Sequence, residues 1–383
     1  MSGPRVLIVR LSAIGDVVHT LPALAALRRT LPDAHIAWLV ESLSAPLLEG
    51  NPLLDELIVY PRSQWRKQGY CRSFVGGDMW RFFRELQRRR FDVAIDFQGL
   101  TKSALIPWLS GIPTRIGFGG VDGRELSQWL YTVRPAPPDE LRHVIHRNLY
   151  LLTALSRTGC QPVSPQSPPA DEAMTGYQPV PLEFPFPDLS AESERVARLL
   201  ENQGFQADEK MAFLNPGAGW ETKRWPPEYF GRLAAMIVRE LGCRVLLTWG
   251  PGEEPLVETA LHEVPTDLRA GVQRAPATTL REFVALLDRC LVMVGGDTGP
   301  VHLAAARGVP VVAVYGGSDA QRNGPLGPGR VRVLTDPNVE CLPCWKVRCD
   351  APPPRCMTSV TPDMVFRAIK KTPNAELKSN DEV

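Results

Sequence analysis

The feature that most constrains this chain is an alternation that runs twice. Apolar runs at 5–10 (RVLIVR), 35–41 (HIAWLVE), 54–60 (LDELIVY) and 91–99 (FDVAIDFQG) are separated by stretches with helical spacing at 16–30, near 78–90 and from Thr101 onward. A proline-dense stretch, 160–190, has neither period and reads as an extended connection. The alternation then restarts, with strands over 211–217, 244–250, 290–297 and 309–317 and helices over 190–203, from Pro226, and over 253–263, 279–288 and 299–307. Strands alternating with helices at this spacing predict parallel sheets covered on both faces. The expected fold is α/β: two Rossmann-like domains, 1–180 and 181–360, facing across a cleft. A last helix, 361–371, can pack back on the first domain, and the polar tail 372–383 is expected to be disordered. At 383 residues the chain is long enough for two cores. Open α/β sheets bind ligands beyond the carboxyl ends of their strands, so the loops that follow strands are where chemistry is sought.

Bulk properties narrow the partners. Lys and Arg number 43 against 42 Asp and Glu, which argues against nucleic acid as the main ligand. No apolar run approaches the roughly 20 residues that span a bilayer. The opening MSGPRVLIVRLSAIGDVVHTL lacks a basic leader and a small-residue cleavage site. The expected location is the cytoplasm, with any membrane contact peripheral. Of eight cysteines, Cys71, Cys160, Cys243 and Cys290 are scattered, and read as thiols of a reducing compartment. Cys341, Cys344, Cys349 and Cys356 cluster; structural zinc is open to them, but the spacing lacks paired knuckles and reduced thiols are favoured.

Three post-strand loops carry candidate chemistry. In RLSAIGD (10–16), Asp16 lies at the start of the next helix. It can be a helix cap, or a general base kept ionised by that helix start. The loop lacks the GxGxxG fingerprint of a dinucleotide site and the Walker phosphate loop. In NPGAGWETKRWP (215–226), Gly217, Ala218 and Gly219 let backbone amides approach an anion, and Lys223 and Arg224 add charge; a plain flexible loop is the alternative. In GGDTGPVHLAAA (295–306), two glycines end a strand and Asp297 or Thr298 caps a helix whose start can receive an anion. His302 lies one turn in, as a ligand contact or a satisfied core histidine. Asp297 can accept hydrogen bonds from sugar hydroxyls.

Together these loops resemble those of the ADP-heptose:lipopolysaccharide heptosyltransferases, glycosyltransferase family nine. RLSAIGDVVHTLPA (10–23) is similar to the family's opening motif, GAGWETKRWP (217–226) to its phosphate loop, and GDTGPVHLAAA (296–306) with VYGGSD (314–319) to its donor motif. DFQGLTKS (96–103) and RIG (115–117) also fit, so the likeness spans roughly 5–370. The resemblance implies a GT-B fold and inversion at the anomeric carbon, with no metal and no cofactor beyond the donor substrate, ADP-heptose. It implies that Asp16 takes the acceptor proton. Lys223 and the helix start at Thr298 and Gly299 would meet the diphosphate charge. Gly217 and Ala218 would flank the donor, Asp297 and His302 would hold its sugar and diphosphate, and Glu254 of WGPGEE would reach the ribose, with Glu253 an adjacent competitor. Lys102, Arg115 and Arg147 would face the anionic, lipid-linked acceptor. In MWRFFRELQRRR (79–90), Met79, Phe82, Phe83 and Leu86 share a core face while Trp80, Arg84 and Arg88 point outward. A solvated face is favoured there over a membrane-facing one. Cysteine-rich segments also occur in several subfamilies without a catalytic metal.

Two other readings stay open at this level. One is a GT-B enzyme with a UDP- or GDP-sugar donor, making another surface glycan. The other is a two-domain ligand-binding protein that needs no base. The acceptor sugar, Kdo or a heptose, is left open by the sequence, although the cysteine-rich segment resembles the second and later heptosyltransferase types more than the first.

Overall fold

A computed structural model describes residues 3–69, 77–158, 182–207 and 209–372. Cys71, Cys160, most of the proline-dense stretch and the tail from 373 lie outside them. The chain divides into two compact units, Met1–Asp188 and Leu189–Val383.

The first unit is built on five parallel strands: β1 (Arg5–Val9), β2 (His35–Glu41), β3 (Glu56–Tyr60), β4 (Val93–Asp96) and β5 (Thr114–Gly117), in the order β3-β2-β1-β4-β5. The central strands are continuous apolar runs because both faces are covered: Val6, Leu7, Ile8 and Val9 are fully buried, as are Ile36 to Val40. The expected helix over 16–30 is two helices, Ile14–Val18 and Leu21–Thr30. Pro22 has no amide hydrogen to continue the first helix, and it occupies the opening turn of the second instead. Helix Asp78–Arg88 buries Leu86 against the sheet, with Phe82 and Phe83 partly covered and Trp80, Arg84 and Arg88 exposed.

The second unit has six parallel strands: β6 (Met211–Asn215), β7 (Val245–Leu247), β8 (Val272–Arg274), β9 (Cys290–Gly295), β10 (Val311–Val314) and β11 (Val331–Leu334), in the order β11-β10-β9-β6-β7-β8. Counted from its own first strand this is 6-5-4-1-2-3, the dinucleotide-fold order, and the first unit follows the same rule. The chain direction across the sheet therefore reverses once in each unit, between β1 and β4 and between β6 and β9. The closing helix is Pro362–Lys370, capped by the Thr361 hydroxyl. Its Val365, Phe366 and Ile369 enter the core of the second unit, against helix Pro227–Leu241. That surface is wide and apolar, and the 3.6-residue stripe of the last helix fits it.

Candidate active site

In the first unit, the loops after β1 and β4 meet where the sheet order reverses. The side-chain oxygen of Gln98 accepts from the amides of Leu11 (3.1 Å) and Ser12 (3.3 Å). Arg10 is buried, donates to the Phe97 carbonyl, and forms an ion pair with Asp16 at 2.7 Å. The other carboxylate oxygen of Asp16 accepts from the Ala13 amide at 3.1 Å. Asp16 is thus a helix-capping residue, as one reading of the sequence held. It is also a charged group with 36% of its side chain exposed, while its partner Arg10 is only 5% exposed. A carboxylate fixed by two donors and still open on one side can receive a proton from a docked hydroxyl.

The second unit gathers its chemistry at the reversal between β6 and β9. Asp297 follows β9 and is almost wholly buried; it meets Lys223 Nζ at 2.6 Å and His302 Nε2 at 3.0 Å. Burial alone would raise its carboxyl, but the His302 hydrogen bond and the charges of His302 and Lys223 outweigh that and hold it well below the ordinary carboxylate range. Lys223 also lies over the Trp220 ring, 4.3 Å from its centre. A side chain at Gly296 would collide with the Lys223 carbonyl, so glycine there lets the lysine turn close on the end of β9. Helix Gly299–Ala306 starts at Thr298 with no side-chain cap, and the Thr298 hydroxyl is buried without a partner. Its first-turn amides carry the partial positive charge that suits an anion.

The loop that carries Lys223 is held from behind. The Thr222 hydroxyl donates to the Lys346 carbonyl, the Glu221 amide to Val347 (3.0 Å), and Trp345 to Gly317 (2.8 Å). The cysteine-rich segment is therefore a strut for this loop. Cys341 is exposed, Cys344 and Cys349 are intermediate and Cys356 is buried. Among the described residues no three His, Cys, Asp or Glu side chains gather as a metal ion would need. The Cys356 thiol is pushed up to about 11 by burial and by its three cysteine neighbours.

Several expected residues are placed differently from the sequence reading. Gly217 and Ala218 are buried, and Gly219 is the exposed residue of that turn. Glu253, not Glu254, reaches the loop: its carboxylate accepts from Gly250 at 2.9 Å and lies where a Gly217 side chain would be. Glu254 begins helix Glu254–His262 and is half-buried. Arg147 is buried, and all five of its donor positions go to Asp122 and to the carbonyls of Pro137, Pro138 and Leu141. It braces its own unit and has no donor left for an acceptor. Arg115 binds the Leu130 and Ile112 carbonyls at 2.7 and 2.6 Å and is likewise largely committed. Lys102 is exposed in the first turn of helix Thr101–Leu109. The sequence reading missed Tyr315, whose hydroxyl reaches Asp297 (3.3 Å) and the Asn323 carbonyl (3.0 Å). It also missed the imidazoles of His19, His143 and His146, stacked edge to face beside the Asp16 helix. Tyr315 falls inside the expected strand 309–317 and so looked like strand core; His19 lies in the opening motif without being singled out there, and His143 and His146 fall in no motif.

Two sheets of dinucleotide-fold order in one chain, each with its polar groups at the strand reversal, define the GT-B class of glycosyltransferase fold. The chain belongs to glycosyltransferase family 9, the heptosyltransferase family, whose model matches residues 79–353. It is 28% identical to lipopolysaccharide heptosyltransferase 1 of Pseudomonas aeruginosa, over 94% of this chain and 96% of that one. It is 25% identical to lipopolysaccharide heptosyltransferase 2 of Escherichia coli K12, over 84% and 85%. In fold it is similar to the solved E. coli heptosyltransferase WaaC with ADP-2-deoxy-2-fluoro heptose (TM-score 0.69, 23% identity, 96% and 100% covered).

Proposed function

We propose that this enzyme transfers heptose from ADP-L-glycero-D-manno-heptose to the inner core of lipopolysaccharide, inverting the anomeric carbon and using no metal ion. The observation that carries the reading is the cluster of Lys223, Asp297 and His302 at the uncapped start of helix Gly299–Ala306. Lysine and helix amides can meet the charge that grows on a departing diphosphate. Asp297 keeps Lys223 and His302 in place, and His302 lies within reach of the donor sugar and phosphates. Gly217, Ala218 and Glu253 line the turn beside the nucleotide. Asp16 takes the proton of the acceptor hydroxyl, the freed oxygen bonds to the anomeric carbon, and the bond from that carbon to ADP breaks on the opposite face. Lys102 offers an exposed charge to the anionic acceptor. The names of the relatives support the donor and the acceptor class. The reading puts the enzyme in the cytoplasm, at the inner face of the membrane that carries its acceptor.

The test is a transfer assay with ADP-heptose and with Kdo- and heptose-terminated acceptors side by side, read by product mass and by the anomeric coupling of the new bond. Asp16→Ala is expected to lose at least about a hundredfold in rate with donor affinity retained. EDTA is expected to change nothing. Full activity in the Asp16→Ala enzyme, or a thermal shift with UDP or GDP and not with ADP, refutes the proposal.

A further inference from the structure

The segment 120–130 in the first unit displays apolar side chains to solvent: Val121 is 85% exposed, Leu126 65% and Trp129 73%. Helix Thr101–Leu109 runs beside it and ends on two more, Trp108 at 49% and Leu109 at 43%. Four bonds lay the segment along that helix from end to end. Near the start of the helix, the Leu126 amide donates to the Thr101 hydroxyl (3.1 Å) and the Ser127 hydroxyl to the Gly99 carbonyl (3.2 Å). Beyond its far end, Arg115 ties the carbonyls of Leu130 and Ile112 together. The layer beneath is firm: Ser127 is fully buried, and Asp122 is locked by Arg147. These apolar groups are therefore held outward by a fixed scaffold. Lone exposed apolar residues are ordinary, but five of them with two tryptophans on two elements bonded to each other mark an interaction surface. Exposed cations surround it: Lys102, Arg124, and Arg134, which donates to the Gln128 carbonyl. The Glu125 carboxylate lies between two of them, Lys102 and Arg124.

We propose that this face docks on an anionic lipid bilayer. Indole rings favour the headgroup region, short apolar side chains the acyl boundary, and a cationic rim the negative surface. A second copy of the chain fits less well, since a two-fold contact would set the rim against its own like charges. Helix Asp78–Arg88 offers a useful contrast. It has a lone exposed Trp80, and two of its three arginines already pair along the helix, Arg81 with Asp78 and Arg88 with Glu85, both at 3.5 Å. The proposal rests on the lipid-linked acceptor of the preceding section for its purpose, though not for its test.

The experiment is sedimentation of the full chain with acceptor-free vesicles of phosphatidylethanolamine and phosphatidylglycerol, against phosphatidylcholine alone. Wild type should bind the anionic vesicles, more weakly as salt rises. The double variant Leu126→Ser/Trp129→Ala should bind about tenfold less well, and Trp80→Ala should bind as wild type does. Transfer to a delipidated, water-soluble acceptor should be equal in wild type and the double variant. No sedimentation of wild type, or equal sedimentation of the double variant, overturns the proposal. So does a wild-type dimer in light scattering that the double variant turns into monomer. Vesicle binding without any heptose transfer would leave the docking face standing and remove the proposed reaction instead.

Discussion

Asp297 is a carboxylate that burial opposes and its neighbours rescue, and the balance has a sign that can be measured. Its folded-state pKa lies below the unfolded one. The stability it contributes is therefore present above the ordinary carboxylate range and is lost as pH falls toward the folded value. Asp297→Asn should destabilise the protein by about 1–3 kcal/mol at pH 7, where Lys223 loses its partner. The gap should shrink as pH falls below about 4, where the unfolded carboxyl takes up its proton. Urea unfolding at pH 7 and pH 3 checks this; an equal gap at both would mean the ion pair does not hold the site. That Lys223, Asp297 and His302 come together has a mark in the sequence, since all three lie in glycine-bearing stretches that follow strands, His302 within the helix that one of them opens. Which of Glu253 and Glu254 turns to the Gly217 loop was not legible, because the turn through Pro251 and Gly252 sets it, and there it is Glu253. Arg115 and Arg147 were legible as charge but not as internal braces, since carbonyl partners leave no mark in a sequence.

At the scale of elements, the loop DFQG is a support for the loop that carries Asp16. Gln98→Leu would strand the Leu11 and Ser12 amides and free the Arg10–Asp16 turn. Turnover should fall about tenfold with the donor KM unchanged, and Gln98→Glu, which keeps an acceptor oxygen, should recover part of it. Loss of donor affinity instead would show that Gln98 acts elsewhere. The Arg147–Asp122 pair makes a second prediction. Arg147→Met takes the guanidinium away from the buried Asp122 carboxylate and should cost about 3–5 kcal/mol in urea unfolding. If the cost is below about 1 kcal/mol, Arg147 is not a brace. The long central strands could be read from their apolar runs, while β5, β8 and β11 could not. They are edge strands of three or four residues, half-exposed, with no run for a pattern to show. Helix Val144–Leu151 escaped for a similar reason: its buried set includes Arg147 and Asn148, which a hydrophobic count scores as surface.

For the molecule as a whole, the consequence of building one fold twice is two cores. Leu7, Leu39, Phe91 and Ile106 belong to one buried cluster, and Phe213's neighbours Ala212 and Leu214 with Phe230, Val294 and Phe366 belong to another. The groups proposed for the donor all lie on the second. A ligand that binds only the native form stabilises it by mass action, about 2.7 kcal/mol at a hundred times its dissociation constant. For a unit of this size that is a rise of about 5–10 °C in midpoint. Calorimetry should therefore resolve two transitions, and ADP should raise only one. Hydrogen exchange in the same sample should show the protection over 215–225 and 295–303, with 10–16 unchanged until an acceptor is added. Should ADP raise both transitions equally, or protect 10–16 by itself, the division of donor and acceptor chemistry between the two units would be wrong, and Asp16 would belong with the nucleotide.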